Sequence, residues 1–531
     1  MLNTWIVLVP PLCILLAVFF TKRLNLSLWA GLLAAALVAG NGSLISSLKI
    51  LINRLWAQAT DLDNLYLYAF LIILGIIICL LEYSGAALAF AQKLTHHLRS
   101  GKAAQTSTLW LSTSLFIDDY LSCLTSGYVM RSLTDKFNIP RAKLAYLIHS
   151  LSGPLVIMAP ISSWIALITS QLENAGISNA AHAKTKILAD PFYVYLQSIP
   201  YIFYSILLIV SVWFIVRRSI SYGPMHAQEL IAKQTGNLFG GKAEIASKTA
   251  ALLTNPGSAW GLVIPILVLI SSFVLGILWG GGYWLLGGSY SFLEALQKNN
   301  QTSLMLLIAS LITLAIAFAV YYRTNGDMSG KQLSKIIFEG YSVMKTSIVM
   351  VFLASTMGIM LREDLQTGAY LAQALYSILS IALLPLLFYI ISIITALITG
   401  SAWGTIALLV PIAVQMTTSL LAVPLPTTIE SAFILIPVLG ALFSGAVCGN
   451  HISPLAETTI MSASAAGCYP LDHSITQFWY ALPAIICAGI SFGLIGFLPW
   501  SIALNFIVAL GTGMVACGII IVIANRLWKT I

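Results

Sequence analysis

Apolar runs of roughly 17 to 25 residues recur from one end of this chain to the other, each long enough to cross the hydrocarbon core of a bilayer as a helix. In lipid the backbone must satisfy its own hydrogen bonds, which helices do. The expected fold is therefore an all-α polytopic membrane protein. Composition agrees, because 59% hydrophobic and 8% charged residues with a mean hydropathy of +0.93 lie beyond what a water-soluble domain reaches. No separate soluble domain is expected. The net charge of +8 does not point to nucleic acid, since the basic residues are scattered over short loops without a basic helix or aromatic-interleaved patch.

Taking runs bounded by charge, Gly or Pro, full spans are expected near 5–20, 26–41, 65–82, 144–168 and 193–216. A polar segment, 217–256, separates them from a second set near 257–279, 303–322, 346–361, 432–466 and 478–497. A last span near 502–525 has no counterpart. The first run is followed by Lys22 and Arg23 and lacks a basic segment before it, so it reads as a retained helix. Two stretches remain, 103–130 around Asp118 and 387–415 around Ser401, each interrupted by polar residues at its centre. Read as re-entrant hairpins, they leave only Lys49, Arg54, Lys184, Lys186, Lys298 and Arg362 of the 26 Lys and Arg outside the cytoplasmic loops. The expected arrangement is about 11 transmembrane helices plus two hairpins, with the N-terminus outside and the C-terminus cytoplasmic.

An internal repeat supports the pairing of the two sets. Residues 75–91 (GIIICLLEYSGAALAFA) superpose without gaps on 358–374 (GIMLREDLQTGAYLAQA), and the same offset of 283 residues carries Asp118-Asp119-Tyr120 onto Ser401-Ala402-Trp403. With five spans per unit, an odd number, the second copy must be inverted. Inverted repeats with broken helices mark secondary transporters. The expected domains are 1–220, the first repeat; 221–256, a cytoplasmic connector; 257–497, the second repeat; and 498–531, a terminal helix and tail.

The costliest residues are Asp118 and Asp119, adjacent carboxylates inside an apolar run. One Asp at a helix centre costs roughly 2.5 to 3.5 kcal/mol, so a pair implies a water-filled cavity, a bound cation or a shared proton. Further on, Gly153-Pro154 and Pro160-Ile161-Ser162-Ser163-Trp164 break the fourth span. Irregular backbone in a membrane survives where it lines a cavity, and Ser162 and Ser163 are hard-oxygen candidates for sodium. The second-half counterparts are Thr399, Ser401 and Trp403 in TGSAWGT, and Asn450, His451, Ser453, Glu457 and Thr458 in the run 444–459. There Glu457 is expected to be desolvated and so able to exchange a proton for a cation. A buried histidine is more often a satisfied core residue than a ligand, and this applies to His149 and His451.

The segments FIDDYLSCLTSG, PRAKLAYLIHS, SGPLVIMAPISSW, TGAYLA, TGSAWGT and SGAVCGNHISPLAETTIMSASAAGC followed by DH resemble, in order and spacing, the NhaC-type sodium/proton antiporters of the wider ion transporter superfamily. The resemblance spans nearly the whole chain. It implies inverted repeats, each with a re-entrant hairpin and a broken helix, in a multi-pass protein of the bacterial inner membrane. It also implies exchange of sodium for protons by alternating access. Asp118 or Asp119 with Glu457 would bind both ions, and Ser162, Ser163, Ser401, Asn450 and Ser453 would complete the shell. His149, His451, Thr399, Trp403 and Thr458 are further candidates. The chain departs from the family pattern at three positions. His149 and Asn450 stand where Asp is usual, and Glu457 is one CH₂ longer than the usual Asp.

The alternative is a sodium- or proton-coupled transporter or exchanger of a small organic acid or amino acid. No enzyme is expected: 236–242 (GNLFGGK) imitates a phosphate loop, but Ala243 stands where Ser or Thr is required. Asp472-His473 reads as a structural turn. No cofactor is expected beyond the transported sodium ion and proton, and the seven cysteines show no metal spacing. Expected partners are membrane lipid and, in a homodimer, a second copy.

Overall fold

The computed structural model describes residues 4–21, 23–95, 100–180, 185–245, 257–377, 379–421, 424–498 and 502–530. Lys22, Lys184 and the end of the connector, 246–256, lie outside these. A 3-10 turn, Trp5–Leu8, runs into α1 (Val9–Thr21), followed by α2 (Leu24–Ala39), α3 (Leu44–Thr60) and α4 (Leu62–Tyr83). After α5 (Ala86–Thr95), α6 (Gly101–Ser114) and α7 (Asp119–Asp135) form a first hairpin. The fourth expected span is broken into α8 (Arg141–His149), α9 (Gly153–Val156) and α10 (Trp164–Asn174), and α11 (Pro191–Ser198) leads to α12 (Phe203–Arg218). The polar connector holds a helix of its own, α13 (Gly223–Thr235).

The second half follows the connector. It begins with α14 (Trp260–Gly280), a short α15 (Phe292–Lys298), α16 (Thr302–Asn325) and α17 (Gly330–Ile359), which ends in a π-helical turn, Met360–Asp364. Then come α18 (Thr367–Leu375) and a second hairpin of α19 (Leu384–Thr399) and α20 (Ala402–Leu421). Another broken pair, α21 (Leu435–Ile452) and α22 (Glu457–Ala466), precedes α23 (Pro470–Phe497) and α24 (Ile502–Thr530). The offset of 283 residues found in the sequence carries the starts of α6 and α7 onto those of α19 and α20.

Ten helices among the described residues are long and apolar enough to cross a membrane. They include the second-hairpin segments, Ile381–Thr399 and Ala402–Leu421, so length alone does not make this hairpin re-entrant. The arms of the first hairpin are not among them. Helix α17 begins well before the apolar run near 346, because Ser329 caps it in a capping box with Gln332. Helix α3 was not foreseen. It is amphipathic, and its Arg54 pairs with Glu363 and Asp364 of the π-helical turn.

The two halves interlock. Helix α4 packs on α17 and α16, and α2 packs on α17. The second arm of each hairpin packs on the broken helix of the other half, α7 on α22 and α20 on α10. The loops after α10 and α20 meet as a two-residue parallel ladder, β1 (Ile187–Leu188) with β2 (Thr427–Thr428). This packing brings both hairpin tips and both helix breaks to one place.

Candidate functional site

Each hairpin tip is built by a cap. Asp118 precedes α7 and its carboxylate accepts from the Leu121 amide at 2.9 Å, and Ser401 precedes α20 and its hydroxyl accepts from the Gly404 amide at 3.1 Å. The residues correspond at the 283 offset. Both satisfy an otherwise orphaned donor of a first helical turn. In the second tip the chain reverses at Gly400, whose φ of +65° is one a side chain would resist.

Each tip is tied to the break beside it. The Ser163 amide donates to the Ile117 carbonyl at 2.9 Å, and Asn450 Nδ2 donates to the Gly400 carbonyl at 2.9 Å. The breaks themselves are held by serine hydroxyls. Ser162 donates to the Val156 carbonyl and accepts from the Trp164 amide, while Ser453 donates to the Leu397 carbonyl and accepts from the Leu455 amide. Tyr195 supplies a hydroxyl to the freed carbonyls of Ile157 and Ala159, at 2.7 and 3.2 Å. The unravelled backbone is thus satisfied by protein groups, as a membrane interior requires.

Between the tips lies a cavity of about 490 Å³. Asp119 and Tyr120 come from the first tip, Thr399, Gly400, Ser401 and Trp403 from the second, and Asn450, Glu457 and Thr458 from the second break. Helix α17 closes another wall with Thr346 and Ser347. Tyr120 donates its hydroxyl to Glu457 Oε2 at 2.5 Å, bridging the two halves. Trp164 and Trp403 meet edge to face with ring centroids 6.0 Å apart. The first turns of α7, α10, α20 and α22 all reach this cavity. Among the described residues lining it none is basic.

Several candidates from the sequence therefore meet: Asp119, Thr399, Ser401, Trp403, Asn450, Glu457 and Thr458. Others stand behind the wall. Asp118 is buried and acts as a cap, and Ser162 and Ser453 hold the breaks. Ser163, also buried, is tied through its amide to the first tip. Glu457 differs from expectation in being exposed, because it opens α22 at the mouth of the cavity. Tyr120, Trp164, Thr346 and Ser347 were not singled out. The polar triplet Lys345-Thr346-Ser347, immediately before the apolar stretch of its helix, was the available signal for the last two.

His149 and His451 lie outside the cavity, packed with His473 at tilted ring angles in a fully buried cluster. Asn450, with its nitrogen turned to Gly400, presents Oδ1 to the Thr458 hydroxyl, which donates to it at 3.0 Å. Thr458 Oγ1 also lies within hydrogen-bond distance of His149 Nε2, at 3.0 Å. The opposite nitrogen, Nδ1, faces Gln477 Oε1 at 3.0 Å and His473 Nε2 at 3.2 Å. His451 is held by the Tyr204 hydroxyl at 2.8 Å. His149 and Asn450 are thus joined through one threonine. Among the described residues no three His, Cys, Asp or Glu side chains are grouped to hold a metal ion.

Interlocked helical hairpins, paired helix breaks and a polar cavity between them define a multi-pass membrane transporter. A family model described as "Na+/H+ antiporter family" matches residues 155–497, and the chain belongs to that family. Its fold is similar to the YdaH transporter of Alcanivorax borkumensis, with a TM-score of 0.57 and 15% identity, covering 91% of this chain and 99% of that one. An uncharacterized protein of Haemophilus influenzae is 28% identical over 497 residues, 92% of this chain and 90% of the relative. A shorter stretch of 109 residues, 20% of this chain and 21% of the relative, is 31% identical to the malate-2H(+)/Na(+)-lactate antiporter of Bacillus subtilis.

Proposed function

We propose that this chain exchanges sodium for protons across a bacterial inner membrane, with Asp119 as the carboxylate that binds the two ions in turn. The observation that carries the reading is the cavity itself, where Asp119 and Glu457 from different halves of the chain face hydroxyl oxygens and, among the described residues, no basic side chain. Such a set of hard oxygens suits a small cation. Ser401, Thr399 and Asn450 supply neutral oxygens, and Tyr120 holds Glu457 in place. Competition between sodium and a proton at one carboxylate is enough for antiport. Near the titration midpoint, each pH unit changes the free energy of proton binding by about 1.4 kcal/mol.

The organisation proposed with it is two inverted repeats, 1–220 and 257–497, joined by the connector 221–256 and followed by 498–531. The N-terminus would lie outside and the C-terminus in the cytoplasm. Rocking of the two halves about the shared cavity would give access from alternate sides. Proton release from vesicles, driven by added sodium, lithium or potassium at two pH values, tests the reading. Saturable sodium-dependent release is the expected result, and its absence from folded protein would refute it.

A second reading, coupled transport of a small organic solute, is favoured by the size of the cavity. At about 490 Å³ it falls in the range of small-molecule pockets, roughly 300 to 1,000 Å³. The name of the Bacillus subtilis relative couples organic acids to both ions.

A further inference from the structure

The cavity holds more than oxygen ligands, and what remains of its wall bears on the class of solute it takes. A sodium ion would fill a small part of about 490 Å³, since one water occupies roughly 30 Å³ in the liquid. Much of the remaining wall is carbon: Leu24, Leu124, Val343, Met350, Leu455 and Met461. Those side chains would gain by covering the skeleton of an organic solute. The polar part is one-sided in charge. Asp119 is almost wholly buried, Glu457 stands opposite at the mouth, and among the described residues no lysine, arginine or histidine lines the space.

Beside the carboxylates are three aromatic side chains, Tyr120, Trp164 and Trp403. The indole planes are inclined at 72° and meet edge to face as a corner, with Trp164 almost wholly buried and Trp403 half-buried. Aromatic faces with nearby carboxylates attract cations whose charge is spread over an organic group. A simple carboxylic acid would meet two carboxylates and no side chain of opposite charge, which disfavours it.

We infer that the cavity takes an organic ammonium compound, its charged nitrogen directed to Asp119 and the Trp164–Trp403 corner and its carbon skeleton to the apolar wall. This rests on the reading that the cavity is the transport site, and it selects, within the organic-solute reading, an amine-bearing solute over a plain acid. Two sources share that chemistry, simple amines and α-amino acids. In an amino acid the carboxylate would turn toward the first turns of α20 and α22, whose amides point to the cavity end of each helix.

The test uses the full chain reconstituted in proteoliposomes. Tryptophan fluorescence is titrated with methylammonium, tetramethylammonium, a panel of α-amino acids, lactate and malate, and counterflow is measured with labelled forms of the binders. The expected result is saturable binding and counterflow of one or more ammonium compounds. Asp119→Asn would weaken it at least about tenfold, and Trp403→Leu about three- to thirtyfold. Binding of amino acids but not of simple amines would assign the solute to the α-amino acids; the reverse would assign it to the simple amines. Melting curves confirm that each variant is folded. Binding of lactate or malate without any amine would overturn the inference, as would amine binding unchanged in both variants. Sodium-driven proton flux is recorded in the same vesicles without organic solute. If it is present and no amine binds, the ammonium inference fails while the ion reading stands. If it is absent and amines are exchanged, the ion reading fails and the inference stands. If neither occurs in folded protein, both are wrong.

Discussion

Gly449→Ala should disable the second hairpin by geometry alone. Gly445 and Gly449 lie four residues apart on α21 where it meets α19, the small-residue spacing that lets two helix backbones approach closely in a membrane. A Cβ added at Gly449 would stand 2.4 Å from the Ile393 carbonyl oxygen, 2.7 Å from Ala396 Cβ and 2.8 Å from the Leu397 amide nitrogen. None of these atoms can swing aside. Normal contact requires the helices to part by about 1 Å, at a cost of about 1–3 kcal/mol for overpacking. The same displacement falls on the tip, because Ser453 to Leu397 and Asn450 to Gly400 are the bonds that hold it. We expect a lowered melting temperature and, since 1 Å misplacements can cost about 100-fold where geometry matters, at least a tenfold loss of sodium-dependent proton flux. Gly153→Ala is the control, since its Cβ would meet nothing within 4 Å. A Gly449→Ala protein with normal melting and normal flux would refute the packing argument.

Arg54→Met should lower stability by about 1–2 kcal/mol, read as a shift in thermal unfolding. It removes a two-pronged pair with Asp364 and a bond to Glu363 that are only partly exposed. Tyr195→Phe takes the hydroxyl from the Ile157 and Ala159 carbonyls at the first break. It should cost about 1–2 kcal/mol in the same assay. Thr458→Val keeps the shape but cuts the link between Asn450 and His149. Faster hydrogen exchange at 399–401 is expected, because Asn450 loses the partner that orients it toward Gly400.

Much of this arrangement was legible before any coordinates. The 283-residue offset located both hairpins, because helix starts follow capping residues and these keep their spacing when the segment is repeated. Asp118-Asp119 stood out because carboxylates in an apolar run are expensive. What the sequence could not separate was the two acids. Neighbours in a chain share their hydropathy, but the cap turns one toward the helix end and leaves the other to the cavity. Glu457 was misjudged for a related reason, since its flanks are apolar while its place at the start of α22 opens outward. Helix α3 escaped notice because Arg54 interrupts its apolar pattern and finds its partners, Glu363 and Asp364, only in the distant second half. The histidine cluster depends on contacts among α8, α21 and α23 that no local pattern encodes.

The central claim is that Asp119, and not its neighbour, exchanges sodium for protons. The direct measurement is sodium-driven proton flux in proteoliposomes bearing Asp118→Asn or Asp119→Asn, alongside the unaltered chain. Asparagine caps a helix as well as aspartate does, so Asp118→Asn should retain flux within about threefold. Asp119→Asn, which removes the one carboxylate that the described residues of the first tip give to the cavity, should abolish it while the protein still folds. Flux that survives Asp119→Asn, or that is lost in a folded Asp118→Asn protein alone, would contradict the assignment.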